Sequence, residues 1–274
     1  MGYGVSGQSS ERADEAGYNL IELMVAMLVS TLVVGGVLMM LNAVQDVHRD
    51  SQEMIDAQQS ARISMEQIQR DLQLAGVGLV WLVPPLPLIV PQADGGFQVR
   101  HNQSGVTASL VTNMANPTDA FIVDDITGFA IGQTIAIYDS TGAIDMVDIT
   151  GIDVANDRIM HGGVSKAYTV ADGTALAWIQ TITYSVDAQD RLTRQVDNEG
   201  AHPIAGNVVG LVVAYWNSDT PSAVFVPNTI PLQMMIETVQ VDLTIQTENM
   251  RLNTNQFRQV TLSTQVTPRA IVLS

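Results

Sequence analysis

Leu23 to Gln45 is a run of 23 uncharged residues, and a single glutamate, Glu22, stands at its leading edge. A helix of that length spans roughly 34 Å, against about 30 Å of bilayer hydrocarbon, so the run predicts one membrane-crossing helix. A cleaved secretory signal would carry a shorter apolar core followed by small residues, whereas Leu41-Asn42-Ala43 puts a leucine where a small side chain belongs. The segment therefore reads as retained, and on hydropathy alone it is a plain signal anchor. Glu22 asks for more. A carboxylate drawn into a membrane costs on the order of 2.5–3.5 kcal/mol unless a cation meets it. No such side chain is within helical reach, since Arg12 is ten residues back and Arg49 is 27 ahead. Cleavage after Gly17 would create an α-amino group at Tyr18, four residues before Glu22. A neighbouring subunit's amine would serve equally well.

Beyond the apolar run the helical pattern continues. From Asp46 the residues Met54, Ala57, Ala61, Met65, Ile68, Leu72 and Ala75 recur at three- and four-residue steps as one apolar stripe. Arg62 with Glu66 and Glu66 with Arg70 stand at i,i+4 on the opposite face. Gly76 and Gly78 punctuate the end. The prediction is one helix of some 55 residues, roughly 80 Å long.

The composition then shifts. "WLVPPLPLIVP", residues 81–91, cannot continue a helix and is expected to run extended. Short β-branched runs follow at 120–123, 134–138, 146–150, 177–184, 208–216, 238–246 and 257–266. Val239, Val241, Leu243 and Ile245 share one face, matched by Val260, Leu262 and Val266 on the last strand. An antiparallel sheet is expected. Residues 95–171 match no motif and read as an inserted subdomain.

Several chemistries are excluded by what the chain lacks. It has no cysteine, so disulfides, thiolate metal sites and a cysteine nucleophile are out. With 28 acidic against 12 basic residues, a net charge of -16 repels phosphate, and no nucleic-acid partner is expected. His48, His101, His161 and His202 lie far apart without metal-ligand spacing. "HGGVSK" at 161–166 looks superficially like a lipase oxyanion loop, but no GxSxG elbow accompanies it, and an ordinary glycine turn is the plainer reading. No catalysis and no cofactor are expected. Three acidic pairs, Asp124 with Asp125, Asp145 with Asp148, and Asp153 with Asp157, offer hard oxygen ligands for a Ca²⁺ ion. None follows an EF-hand loop, and solvated turn carboxylates are the simpler account. Lys166, the only lysine, has no function legible in the sequence.

The stretch Gly17-Tyr18-Asn19-Leu20-Ile21-Glu22-Leu23-Met24-Val25-Ala26 resembles the class III signal of type IV prepilins and type II secretion pseudopilins. "QQSARISMEQIQRDLQLAGVG" is similar to a segment of PilW-like minor pilins and J-type pseudopilins, with Arg62, Met65, Glu66, Arg70, Asp71, Leu72, Ala75 and Gly76 matching. "ITYSVDAQDRLTRQ", "PIAGNVVGLVVAYW" and "FRQVTLSTQVTPRAIVL" look like the same family's C-terminal region. Two features depart from its pattern: Asn19 stands where Ser or Thr is usual, and the leader is acidic, with Glu11, Asp14 and Glu15.

The resemblance implies a prepilin peptidase that cuts after Gly17 and methylates Tyr18, with Glu22 registering subunits in a filament. It implies an α+β pilin-like fold, a long N-terminal helix, membrane-spanning in its first half, packed on an antiparallel sheet. The expected organisation is a leader at 1–17, a membrane and filament-core helix at 18–45, an amphipathic half at 46–76 and a β-rich domain at 77–274. Expected partners are other major and minor pilins, the prepilin peptidase, the inner-membrane assembly platform and, before assembly, the membrane itself. The expected location is the bacterial inner membrane, single-pass with a periplasmic domain, then a pilus or pseudopilus at the cell surface. The function implied is a structural, assembly-priming minor pilin; a J-type pseudopilin and a tip-displayed adhesin are the alternatives.

Overall fold

The structure, a computed structural model, describes residues 20–79, 86–216, 236–250 and 256–268. Gly17 and Tyr18 lie outside the described residues, as do Val80 to Pro85. Among the described residues one α-helix, α1 (Leu20–Leu74, 55 residues), precedes fourteen strands in antiparallel sheets, an α+β fold. The chain divides into two compact units, Met1–Gln52 and Glu53–Ser274, each described by itself.

The first unit is helical from Leu20 onward. Its apolar stretch has a mean hydropathy of 2.4, and none of it is buried, so α1 is long and apolar enough to cross a membrane. The polar side chain of Thr31 turns back onto its own helix, donating to Met27 O at 2.8 Å. That bond spares it an unpaired hydroxyl in an apolar setting.

In the second unit α1 becomes one-sided. Ala57, Ala61, Met65, Ile68, Leu72 and Ala75 are buried, and Met54 is half-buried. Arg62, Glu66 and Arg70 lie on the exposed face, but no ion pair joins them; side-chain entropy outweighs the weak attraction of exposed charges. Gly76 and Gly78 follow at positive φ, and a Cβ on Gly78 would stand 2.2 Å from the carbonyl oxygen of Asn102. Only glycine lets the chain turn that close to the neighbouring backbone.

The buried stripe packs against two sheets rather than the single sheet expected. The first has five strands in the order β1-β2-β9-β10-β11: β1 (Ile89–Pro91), β2 (Phe97–His101), β9 (Gln180–Val186), β10 (Leu192–Val196) and β11 (His202–Ala205). The second comprises β12 (Val208–Trp216), β13 (Thr238–Gln246) and β14 (Gln259–Val266), in that order. Phe97, Val99, Ile182 and Tyr184 from one sheet and Val239, Val241, Leu243 and Ile245 from the other share one apolar core with α1.

Between β2 and β9 the chain makes a second core. Strands β3 (Thr107–Ser109), β4 (Phe121–Ile122), β5 (Thr134–Tyr138), β6 (Ile144–Asp153), β7 (Arg158–His161) and β8 (Ala175–Trp178) form a six-stranded sheet in the order β3-β8-β5-β6-β7-β4. Its two ends meet. Leu110 bridges Val123, Val111 N–H donates to Ile122 O at 2.9 Å, and Asp124 N–H donates to Ser109 O at 3.0 Å. The two outer strands of the sheet therefore join, and it closes into a small barrel. Phe121, Ile135, Ile137, Ile149, Ile159 and Leu176 fill it.

The insertion does not run from 95 to 171 as expected. Phe97–His101 belongs to the five-stranded sheet, and Ala175–Trp178 belongs to the barrel. The chain leaves the first sheet at His101 and returns at Gln180, which are partners across β2 and β9. The run expected as one strand at 177–184 is accordingly two, divided where the chain passes from barrel to sheet.

Candidate functional site

Glu22 lies in the first turn of α1, exposed, flanked by exposed Leu20, Ile21 and Leu23. A carboxylate there faces the positive end of the helix dipole, which favours it by a fraction of a kcal/mol, about 0.3–1 kcal/mol at exposed sites.

The strongest polar feature of the second unit was not legible as a site. Asp71, on the buried face of α1, accepts from Tyr184 Oη and from Arg194 Nε, both at 2.7 Å on Oδ2. Its other oxygen accepts from Gln67 Nε2 at 3.1 Å. Tyr184 and Arg194 are cross-strand partners on β9 and β10, and Phe97, stacked on Tyr184 at 5.2 Å, is its partner on β2. Register thus sets a row of three side chains across the sheet, and one helix carboxylate clamps onto it. Burial pulls the Arg194 guanidinium down, but the hydrogen bond and charge of Asp71 outweigh it, and the group sits above its ordinary value. Burial, reinforced by Asp71, raises the Tyr184 hydroxyl, which keeps its proton and remains a donor. Ser64 adds a second tie, its hydroxyl donating to Ile204 O of β11 at 3.2 Å. The sequence signal was Asp71's position on the apolar stripe, three residues after Ile68.

His101 lies beside this clamp, almost wholly buried, its Nδ1 accepting from Gln103 N–H at 3.3 Å. Burial holds the imidazole below its ordinary value, with the charge of Asp71 opposing and that of Arg194 adding. A proton on Nδ1 would also displace the Gln103 donor.

In the barrel, the "HGGVSK" segment is a structural turn. His161 stacks on Phe121 with ring centroids 3.9 Å apart; its Nδ1 accepts from Gly163 N–H at 3.0 Å, which assigns the proton to Nε2, 2.8 Å from Asp119 O. Burial lowers its pKa, and the bond to Asp119 only partly opposes this. Ser165 donates its hydroxyl and its N–H to Asp145 Oδ2, which also accepts from Tyr168 Oη at 2.9 Å. Both Ser165 and His161 are thus committed to structural partners, and they form no nucleophile and base pair. Lys166 is one half of an ion pair. Its ammonium sits 2.5 Å from Asp139 Oδ2, whose side chain is fully buried and accepts from Thr141 and Ala143 on its other oxygen. Burial alone would raise the Asp139 carboxyl; Lys166 and the turn donors overcome it and hold it at about 2.

The acidic pairs are spent on turns and seams. Asp124 accepts from Ser109 N–H at 2.7 Å and seals the barrel closure; Asp125 caps Thr127 N–H at 2.7 Å. Asp148 accepts from Thr134 Oγ1 at 2.6 Å, and Asp153 from Ala155 N–H and Asn156 Nδ2. Asp157 takes the left-handed conformation at the β6–β7 turn, with φ 49°. Among the described residues no three His, Asp or Glu side chains gather as a metal site. A groove of about 200 Å³ lies in the second unit, lined by Glu53, Asp56, Ser60, Asn207, Gln246 and Glu248. Asn249 donates to Glu53 Oε1 there at 2.7 Å.

Comparison with family models, with curated proteins and with solved structures found no match to the chain.

Proposed function

We propose that the protein is a minor type IV pilin of the PilW-like kind, a structural and assembly-priming subunit without catalysis. The observation that carries this reading is the division of α1. The portion in the first unit is apolar and unburied, with Glu22 in its first turn; the portion in the second unit is one-sided and clamped to a sheet through Asp71. In this reading the apolar portion anchors the precursor in the bacterial inner membrane, with the β-rich unit in the periplasm. After prepilin peptidase cuts at Gly17 and methylates Tyr18, the same portion packs among other pilins on the assembly platform. Glu22 then pairs with a neighbour's α-amino group: opposite charges about 4 Å apart gain roughly 4 kcal/mol at an effective dielectric near 20. A J-type pseudopilin would use the same parts. The closed barrel favours a second reading, a tip-displayed adhesin, because a unit with its own core can be carried without joining the packing of α1.

Mass analysis and N-terminal sequencing of the mature protein test the reading. The expected product starts at N-methyl-Tyr18, and Gly17→Leu blocks its formation. Glu22→Gln is expected to be inserted and cleaved normally yet be depleted from sheared filaments. A mature chain starting at Met1 in cells with active peptidase, or equal incorporation of the variant, refutes it.

A further inference from the structure

Among the described residues the three sheets have six outer strands, and five of them are guarded. β1 has three residues and contains Pro91; β11 has four and contains Pro203. β3 and β4 close on each other. β12 is long, but its register slips between Val208 and Gly210, a bulge that twists an edge away from partners. β14 has no such device. It runs eight residues, "QVTLSTQV", without charge, proline or glycine, and pairs one-to-one with β13 from Val239–Val266 to Gln246–Gln259.

The direction of its backbone groups follows from one bond. Thr247 N–H donates to Arg258 O at 2.8 Å, so that pair is a hydrogen-bonded one, and antiparallel alternation continues from it. Val260, Leu262, Thr264 and Val266 therefore turn their N–H and C=O groups toward β13. Gln259, Thr261, Ser263 and Gln265 turn theirs outward, and among the described residues no strand pairs with them. On the core side Val260 and Leu262 are only half-buried. A strand laid against β14 would satisfy the outward groups and cover those two side chains.

We infer that the outer edge of β14 receives an extended segment of a different polypeptide by strand addition. Its chemistry follows from the edge: apolar side chains alternate with Thr, Ser or Gln, because Val260 and Leu262 alternate with Thr261 and Ser263. The segment is neutral or basic. This chain carries -16 overall, while residues 256–267 hold Arg258 as their one charge, so a second copy would set -16 against -16 at close range.

Amide hydrogen exchange on the full chain in detergent micelles tests this. In the free chain the outward amides of Thr261, Ser263 and Gln265 are expected to exchange freely while those of Val260, Leu262 and Thr264 are protected. A blocked seven-residue peptide of alternating valine and threonine is the probe. At saturation it is expected to slow the outward amides roughly tenfold or more. Thr261→Pro removes an outward N–H and leaves the β13 ladder alone, so it should abolish the slowing. If that variant misfolds, Gln259→Pro, at the strand's first residue, makes the same test. Outward amides already protected in the free chain would mean its own segments cover the edge, and slowing that rises with protein concentration would mean a second copy does. Either result overturns the inference, as does a peptide without effect.

Discussion

Replacing Asp71 with alanine removes three hydrogen bonds and leaves two partners stranded. Tyr184 loses the acceptor of a buried hydroxyl, which costs about 1–3 kcal/mol. Breaking a fully buried ion pair costs about 3–5 kcal/mol, but Arg194 keeps 25% of its side-chain surface in water and regains hydration. The low end, about 3 kcal/mol, is the expected loss. For a unit of this size each kcal/mol moves the melting temperature by about 2–4 °C, so the shift is about 6–12 °C. Residue-resolved hydrogen exchange on the full chain in micelles locates the effect. Protection should fall across β2, β9 and β10 and persist in β5 to β7, because the barrel has a separate core. Asp71→Leu combined with Arg194→Leu should be less destabilised than Asp71→Leu alone, since no charge is then left unpaired. A shift under about 2 °C, or equal loss of protection in the barrel, would refute the clamp.

Three further outcomes are expected. Replacing residues 103–178 by a two-residue Asn-Gly type turn, with Asn102 and Ile179 retained, should leave α1 and the two sheets folded, because His101 and Gln180 are already partners; loss of exchange protection in β13 would refute the insertion. Stability should fall as the pH drops below about 6.5, because burial holds His101 and His161 below their ordinary value and the unfolded chain takes those protons first. Urea midpoints at pH 7.5 and 5 measure it, and His101→Asn should flatten the difference. Asp139 acts lower: its contribution is complete above about 3.8 and is lost as the pH falls toward 2, so Asp139→Asn should be less stable above that range and converge with the parent near pH 2, and a variant that kept the parent's full loss between those values would contradict that role.

What could be read from the chain and what could not differ in the range of the interaction involved. The strands at 134–138, 208–216 and 238–246 were legible to the residue, because short β-branched runs bounded by turn residues are a local signal that needs no knowledge of the partner, and in the last of them exposure also alternates. The helix was legible for the same reason: the stripe from Ala57 to Ala75 is a local periodicity. The break near Ile179 was not, because β-branched residues suit either sheet and only pairing assigns Trp178 to the barrel and Gln180 to β9. Closure of the barrel likewise rests on Leu110 meeting Val123. The clamp lies furthest from local reading, since Asp71 and Arg194 are 123 positions apart. An aspartate on an apolar stripe announces that some partner exists, because burying the carboxylate alone would be prohibitive. It does not say which cation comes. Glu22 poses the same question at the start of the helix, with one physical difference: the Asp71 partner is supplied by the chain's own sheet, whereas Glu22 is exposed in the described helix, and in the proposed reading its cation would arrive by assembly or by cleavage.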